Sequence, residues 1–315
     1  MKTVICGLWH VHAEGYYKTA AEYTDVIGVY EPNETWRKEF CAKYNLPEFA
    51  TLEELLACGA DAAIVCTSTD THADVIVRLA EAGMDIFSEK VLALTSEECA
   101  KIKAAVEKNG VRFVISYPHK YGAGAQTVKM VIDSGELGKI NFFRCRNVHD
   151  GSTGHWLPLH FYNAKECGGG AMIDLGAHGM YLSEWICGMP VAAKSVFTVA
   201  CDHSEVTALN TDGVEDNAVT VMQYADGCIA INETGFDSTG YPLTLEVCGE
   251  NGWVRYSGSK VEMKTKTADG VVEVPMEPAL PAPLVQFCTG DILPGCGMAE
   301  AVNLTKLMEM AYAGK

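Results

Sequence analysis

From residue 3 to residue 116 the chain alternates between short β-branched apolar runs and stretches of helical periodicity, and that rhythm leaves few folds open. The apolar runs are 3–8 (TVICGL), 26–30, 62–67, 85–88 and 111–116, and the helical stretches are 13–23, 51–58, 71–83 and 95–109. Strands separated by helices of this length form a parallel sheet covered on both faces, with ligands gathered at the carboxyl ends of the strands. The first run ends in Gly7, and the second is followed by Glu31, 24 residues beyond it. That is close to the spacing at which a dinucleotide-binding βαβ unit sets the carboxylate that bonds the adenosine ribose. An acid there repels a ribose 2′-phosphate, so NAD is expected over NADP. Against G-x-G-x-x-G, however, the chain offers only Gly7, with Trp9 and His12 where the later glycines belong.

Polar residues cluster just past the strand ends: Thr67 and Ser68, Glu89 and Lys90, then Tyr117, His119 and Lys120. A lysine buried at such an edge is costly unless it meets an anion or a hydroxyl, whereas a solvated loop lysine needs no partner. Further on, GGGAMIDLGAH (168–178) sets Asp174 and His178 four residues apart. A helix from about Met172 would put both on one face, a carboxylate beside an imidazole able to take a proton near neutral pH. The alternative is a helix start in which Asp174 caps and His178 packs.

The ordered segments CTSTDTH (66–72), EAGMDIFSEKV (81–91), IDSGELGKI (132–140) and GGGAMIDLGAH resemble the Gfo/Idh/MocA oxidoreductases, named for glucose-fructose oxidoreductase and inositol dehydrogenase. The likeness runs from residue 3 through PLVQFCTGDILPG (283–295) to the final helix. It implies an α/β chain with an N-terminal NAD-binding Rossmann domain, 1–118, and a C-terminal α/β domain, 119–315, built on a large, mainly antiparallel sheet. It also implies hydride transfer between NAD and a hydroxyl or carbonyl carbon of a sugar, inositol or related polyol. The lysine of the family's E-K-P motif falls on Lys90, and the Asp and His of its second motif on Asp174 and His178. In the implied mechanism His178 removes the hydroxyl proton, Lys90 stabilises the alkoxide and Asp174 orients substrate and base. The cofactor-binding set becomes Gly7, Leu8, Trp9, His10, Val11, Glu31, Thr67, Ser68, His72, Glu89 and Lys90. Val91 stands at the family's usual proline, and Tyr181 replaces a frequent acid. A redox-assisted glycosidase and a dinucleotide-sensing regulator on the same fold are the alternatives; the intact Lys90, Asp174 and His178 argue against the sensor.

Beyond a boundary near 117–124, residues 140–148, 191–201, 217–224, 228–234 and 243–248 read as strands of a sheet with one open face, which suits a homodimer or homotetramer. Residues 225–227 read as a hairpin turn, the proline-rich 275–283 as a strap, and 298–312 as the last helix. Ahead of the catalytic segment, NVHDGSTGHWLPLHFY (147–162) is dense in donors and rings. Its histidine spacings fit no standard ligand template, so no metal is expected. It reads as a substrate-lining loop in which Asn147, His149, Trp156 and His160, with Tyr117 and Lys120, meet a polyhydroxylated ligand. An ordinary surface loop is the other reading.

A formal charge of −17 with no basic cluster opposes nucleic acid as a partner. The chain enters a strand within three residues without a charged-then-apolar leader, and no apolar run approaches the ~18 residues of a membrane span, so a cytoplasmic protein with no membrane partner is expected. Thirteen scattered cysteines without a C-x-x-C pair read as reduced core residues.

Overall fold

A computed structural model describes residues 1–200, 214–239 and 243–314. The chain forms two compact units, one of residues 1–116 with 281–305, the other of residues 117–280 with 306–315. A division into 1–118 and 119–315 therefore needs a correction: Pro281–Thr305 returns to the first unit.

The first unit carries β1 (Lys2–Cys6), α1 (Ala13–Tyr23), β2 (Asp25–Tyr30), α2 (Glu34–Tyr44), β3 (Glu48–Phe49), α3 (Leu52–Leu56), β4 (Ala62–Val65), α4 (His72–Glu81), β5 (Asp85–Ser88), α5 (Ser96–Asn109) and β6 (Phe113–Ile115). Its sheet is wholly parallel, in the order β3-β2-β1-β4-β5-β6. That is the Rossmann order, whose direction of winding reverses between β1 and β4. Val4, Ile5, Cys6 and the whole of Ala62–Cys66 are buried, as expected of central strands covered on both faces. Thr51 with Glu54 and Thr95 with Glu98 form capping boxes that start α3 and α5, and Gly110 ends α5 in the left-handed region. The strands are shorter than the apolar runs, because Thr67, Ser68 and Ser116 lie past the ends of β4 and β6.

The second unit contains α6 (Ala123–Asp133), β7 (Ile140–Val148), α7 (Ala164–Cys167), α8 (Ala177–Cys187), β8 (Ala192–Thr198), β9 (Asn217–Gln223), β10 (Ile229–Gly235), β11 (Thr244–Gly249), β12 (Gly252–Tyr256), β13 (Val261–Thr265) and β14 (Val272–Val274). The sheet order is β14-β13-β12-β11-β7-β10-β9-β8, antiparallel except for β7 with β10. Burial alternates along β9 and β10, and the inner face carries Ala218, Met222, Ala230, Phe143, Val247 and Val254 beneath helices. The 225–227 turn is a hairpin with Gly227 at φ +94°, joining β9 to β10. Strands β12 to β14 have no counterpart in the sequence reading, and the last residue of the expected 191–201 strand lies outside the described residues. Residues 275–282 have no regular element, and α9 (Pro283–Thr289) precedes α10 (Met298–Ala313).

Candidate active site

In the first unit, Gly7 closes β1 at φ +95°, and a β-carbon there would lie 2.5 Å from the Thr67 backbone nitrogen. Both facts require glycine. The Gly7 N–H donates to the Tyr30 carbonyl at 2.8 Å and the His10 N–H to the Cys66 carbonyl at 3.1 Å, so the turn is tied to the ends of β2 and β4. Glu31, 3% exposed, accepts the Leu8 N–H at 2.6 Å on one oxygen and the Asn33 N–H at 2.8 Å on the other. Burial pushes its carboxyl above the usual range, against the pull of those two N–H groups and Arg37. Two acceptor positions of the carboxylate remain for a diol. A cavity of about 520 Å³ opens beside it, walled by Trp9, Glu31, Pro32, Leu52, Thr67 and Ser68 among others. Trp9, in place of the second glycine, thus forms cavity wall. Helix α1 begins at Ala13 with no side-chain cap on its first N–H groups, which face the anion-binding end of a helix. A carboxylate and Trp9 on the cavity wall, with the Gly7 turn just before them in the fold and a helix N-terminus just after that turn in the chain, fit a dinucleotide.

Other residues of the expected cofactor set have different surroundings. Val11 is exposed. His72 is buried, with Nδ1 3.0 Å from the Val91 carbonyl and Nε2 3.1 Å from the Thr67 carbonyl. Its ring clamps two strand-end loops together rather than lining the cavity, and burial holds its pKa down despite those carbonyls. Glu89 and Lys90 are both buried past β5, and the Lys90 N–H donates to Glu89 Oε2 at 2.8 Å. Glu89 Oε1 lies 2.6 Å from His12 Nδ1 and 3.5 Å from His10 Nδ1. Burial alone would raise the Glu89 carboxyl, but His10, His12 and Lys90 outweigh it and hold it well below the usual range. The Lys90–Val91 peptide bond is cis.

In the second unit, the segment expected to be α-helical from Met172 is instead a π turn, Met172–Gly176, leading into α8. A wide turn misaligns backbone carbonyls, and the sheet below supplies the donors. Thr234 Oγ1 donates to the Ala171 carbonyl at 3.1 Å, Asn147 Nδ2 to Leu175 at 3.2 Å and Asn232 Nδ2 to Gly176 at 2.7 Å. Asn147, expected to contact substrate, thereby holds the turn that carries half-buried Asp174. The three glycines before the turn have separate causes: Gly168 has φ +81°, a β-carbon on Gly169 would meet the Tyr312 hydroxyl, and one on Gly170 would lie 2.1 Å from the Glu215 carbonyl oxygen.

His178 is buried in the first turn of α8, its Nδ1 3.0 Å from the Tyr181 hydroxyl. That oxygen also accepts the His119 N–H at 3.1 Å, and the Tyr181 ring stacks on Tyr117 at 4.2 Å. In the tautomer whose Nδ1–H donates to that hydroxyl, the imidazole carries its lone pair on Nε2. Lys120 is buried with Nζ 5.2 Å from the Trp185 ring centre. In the 147–162 loop, His149 stacks on Phe236 at 4.9 Å and lies 4.6 Å from Trp156, which is 51% exposed and donates Nε1–H to Asp150. His160 is half-buried in the short helical turn Leu159–Tyr162. The sequence reading missed Glu215, whose Oε1 accepts the Gly170 and Met172 N–H groups and the Tyr312 hydroxyl at 3.0, 3.0 and 2.7 Å. It also missed the hold of Tyr181 on His178, although the two stand three residues apart on α8; nothing in local spacing marks Glu215.

Residues 1–117 match the model of an oxidoreductase family with an NAD-binding Rossmann fold, and residues 125–255 match the GFO/IDH/MocA C-terminal domain. The chain belongs to the GFO/IDH/MocA oxidoreductase family. Inositol 2-dehydrogenase of Rhizobium meliloti is 27% identical over 70% of this chain and 64% of its own length. The scyllo-inositol 2-dehydrogenase (NAD(+)) of Bacillus subtilis is 28% identical over 62% of this chain and 54% of its own. The aligned region thus spans between about half and two thirds of those relatives. Among solved structures, levoglucosan dehydrogenase in complex with NADH and levoglucosan superposes with a TM-score of 0.82 at 16% identity, covering 100% of this chain and 97% of that one. The aldose-aldose oxidoreductase of Caulobacter crescentus gives 0.81 at 19%, with coverage of 100% and 97%. At these identities the likeness is one of fold, and it agrees with the family's pairing of a Rossmann sheet and a larger, mostly antiparallel one.

Proposed function

We propose that this GFO/IDH/MocA chain is an NAD-dependent dehydrogenase of CH–OH groups in a sugar, inositol or related polyol. Glu31 carries the reading: a buried carboxylate one βαβ unit after Gly7, opening on a cavity, suits the ribose diol of NAD, while Lys90, Asp174 and His178 stand at the positions of the family's two motifs. The relatives named as inositol and scyllo-inositol dehydrogenases support the substrate class. NAD, when bound, accepts the hydride. His178 takes the hydroxyl proton at Nε2 with its ring fixed by Tyr181, Lys90 stabilises the oxygen as negative charge develops, and Asp174 orients the substrate. Trp156 and His149 offer an aromatic face to the C–H side of a ring, with Tyr117, Lys120 and His160 as further substrate contacts. A panel of sugars, inositols and sugar acids with each cofactor, followed as nicotinamide absorbance, tests the assignment. We expect NADH to accumulate with at least one polyol, and NAD to bind more tightly than NADP because Glu31 is buried as a diol acceptor. Its raised pKa adds a sign: NAD affinity should fall as pH drops through the Glu31 ionisation, since the ionised form is the stronger acceptor. Equal affinity for both cofactors, or no turnover across the panel with NAD still bound, would overturn the assignment.

Among the described residues no helix is long and apolar enough to cross a membrane; we place the protein in the cytoplasm. The outer face of β8 to β10 exposes Val196 (70%), Val219, Val221 and Ile229. An apolar sheet face of this breadth suits burial between copies, so a dimer or tetramer is expected. Light scattering at micromolar concentration checks it, and a monomer would contradict it.

A further inference from the structure

The expectation of no metal concerns the histidines of 147–162, but the fold assembles another cluster from residues far apart in sequence. His10 and His12 follow β1, Glu89 follows β5, and one ligand atom of each lies within 4.8 Å of the other two. We propose that His10, His12 and Glu89 form a binding site for a divalent transition metal with open coordination positions, at the first turn of the Rossmann unit. Two imidazoles and a carboxylate are a ligand set suited to zinc and its first-row neighbours.

Three observations support it. The His12 N–H donates to His10 Nδ1 at 3.2 Å, so that nitrogen is unprotonated, and a metal would take its lone pair over from the N–H. The same Nδ1 faces Glu89 Oε1 across 3.5 Å, on a carboxylate that is 1% exposed. That 3.5 Å separation is close to the ~3.4 Å edge of a tetrahedron with bonds of about 2.0–2.1 Å. The His12 side chain, 45% exposed, lies 2.6 Å from the same oxygen and needs to withdraw by less than ~1 Å to take its own ligand position. Glu89 Oε2 is meanwhile held by the Lys90 N–H, which fixes the carboxylate with Oε1 toward the histidines. The site also gives His12 a part that the third glycine of a dinucleotide fingerprint could not play.

The test needs neither nicotinamide cofactor nor substrate, so its outcome is separate from that of the dehydrogenase assignment. The full chain, stripped of metal by chelator, is titrated with zinc alone by calorimetry and with cobalt(II) alone by visible absorption. One equivalent of each is expected, with a cobalt spectrum lacking thiolate bands and a zinc-dependent rise in unfolding temperature. His12→Ala and Glu89→Gln should each weaken zinc by at least about 100-fold, while the exposed His155→Ala leaves it unchanged. His12 lies at the surface, so its variant remains decisive if Glu89→Gln fails to fold. Absence of one-equivalent binding, a thiolate spectrum, or zinc affinity unchanged by His12→Ala overturns the proposal.

Discussion

Replacing His178 or Lys90 with alanine should lower turnover of a polyol substrate by on the order of 100-fold or more while NAD still binds. His178 sits in the second unit, where its ring has no part in the Gly7–Glu31 cradle, and its loss removes the group assigned to accept the proton. Lys90 sits past β5, and its loss removes the charge assigned to the developing alkoxide. Groups that act in one step fail together, so the double variant should lose less than the product of the two single losses. Steady-state kinetics with cofactor binding measured separately decides this. Near-normal turnover in both single variants would show that the family's catalytic positions do not carry the chemistry in this chain.

Glu215→Ala is expected to have the largest effect on stability, about 3–5 kcal/mol by denaturant unfolding of the full chain. Three donors converge on its Oε1, two of them backbone N–H groups at the entrance to the π turn. Without the carboxylate they stay buried and lack that acceptor, and the turn bearing Asp174 loses its anchor. Glu215→Gln keeps a carbonyl oxygen in the same place and should cost roughly 1–2 kcal/mol. Equal, small losses in the two variants would mean that water replaces the carboxylate without penalty.

The two variants also mark the limits of what local sequence can reveal. The parallel unit was legible because its signals are local: apolar runs at strand length, Gly7 at a strand end and Glu31 one βαβ unit later. Asp174 and His178 were legible as a pair through the family likeness, yet the form of their turn was not. The π turn depends on Asn147, Thr234 and Asn232, which reach it from strands distant in the chain. The hydrogen bonds of His72 were illegible for a similar reason, since its partners at Val91 and Leu92 stand 19 and 20 residues away. Strands β12 to β14 went unread because they are short, at five, five and three residues, so that even the alternation of VEMKT and VEV spans too few positions to stand out.

The return of Pro281–Thr305 to the first unit has a consequence for synthesis. The Ile115 N–H of β6 donates to the Cys296 carbonyl at 2.8 Å, and α9 packs on α1. In the other unit, Tyr312 at the end of α10 meets Glu215. A nascent chain therefore leaves the first unit short of residues 281–305, and the second short of residues from 306 on, until those residues have been made. A Rossmann unit that looks self-contained in its strand order is, in the time order of translation, completed only after every strand of the other unit has been made.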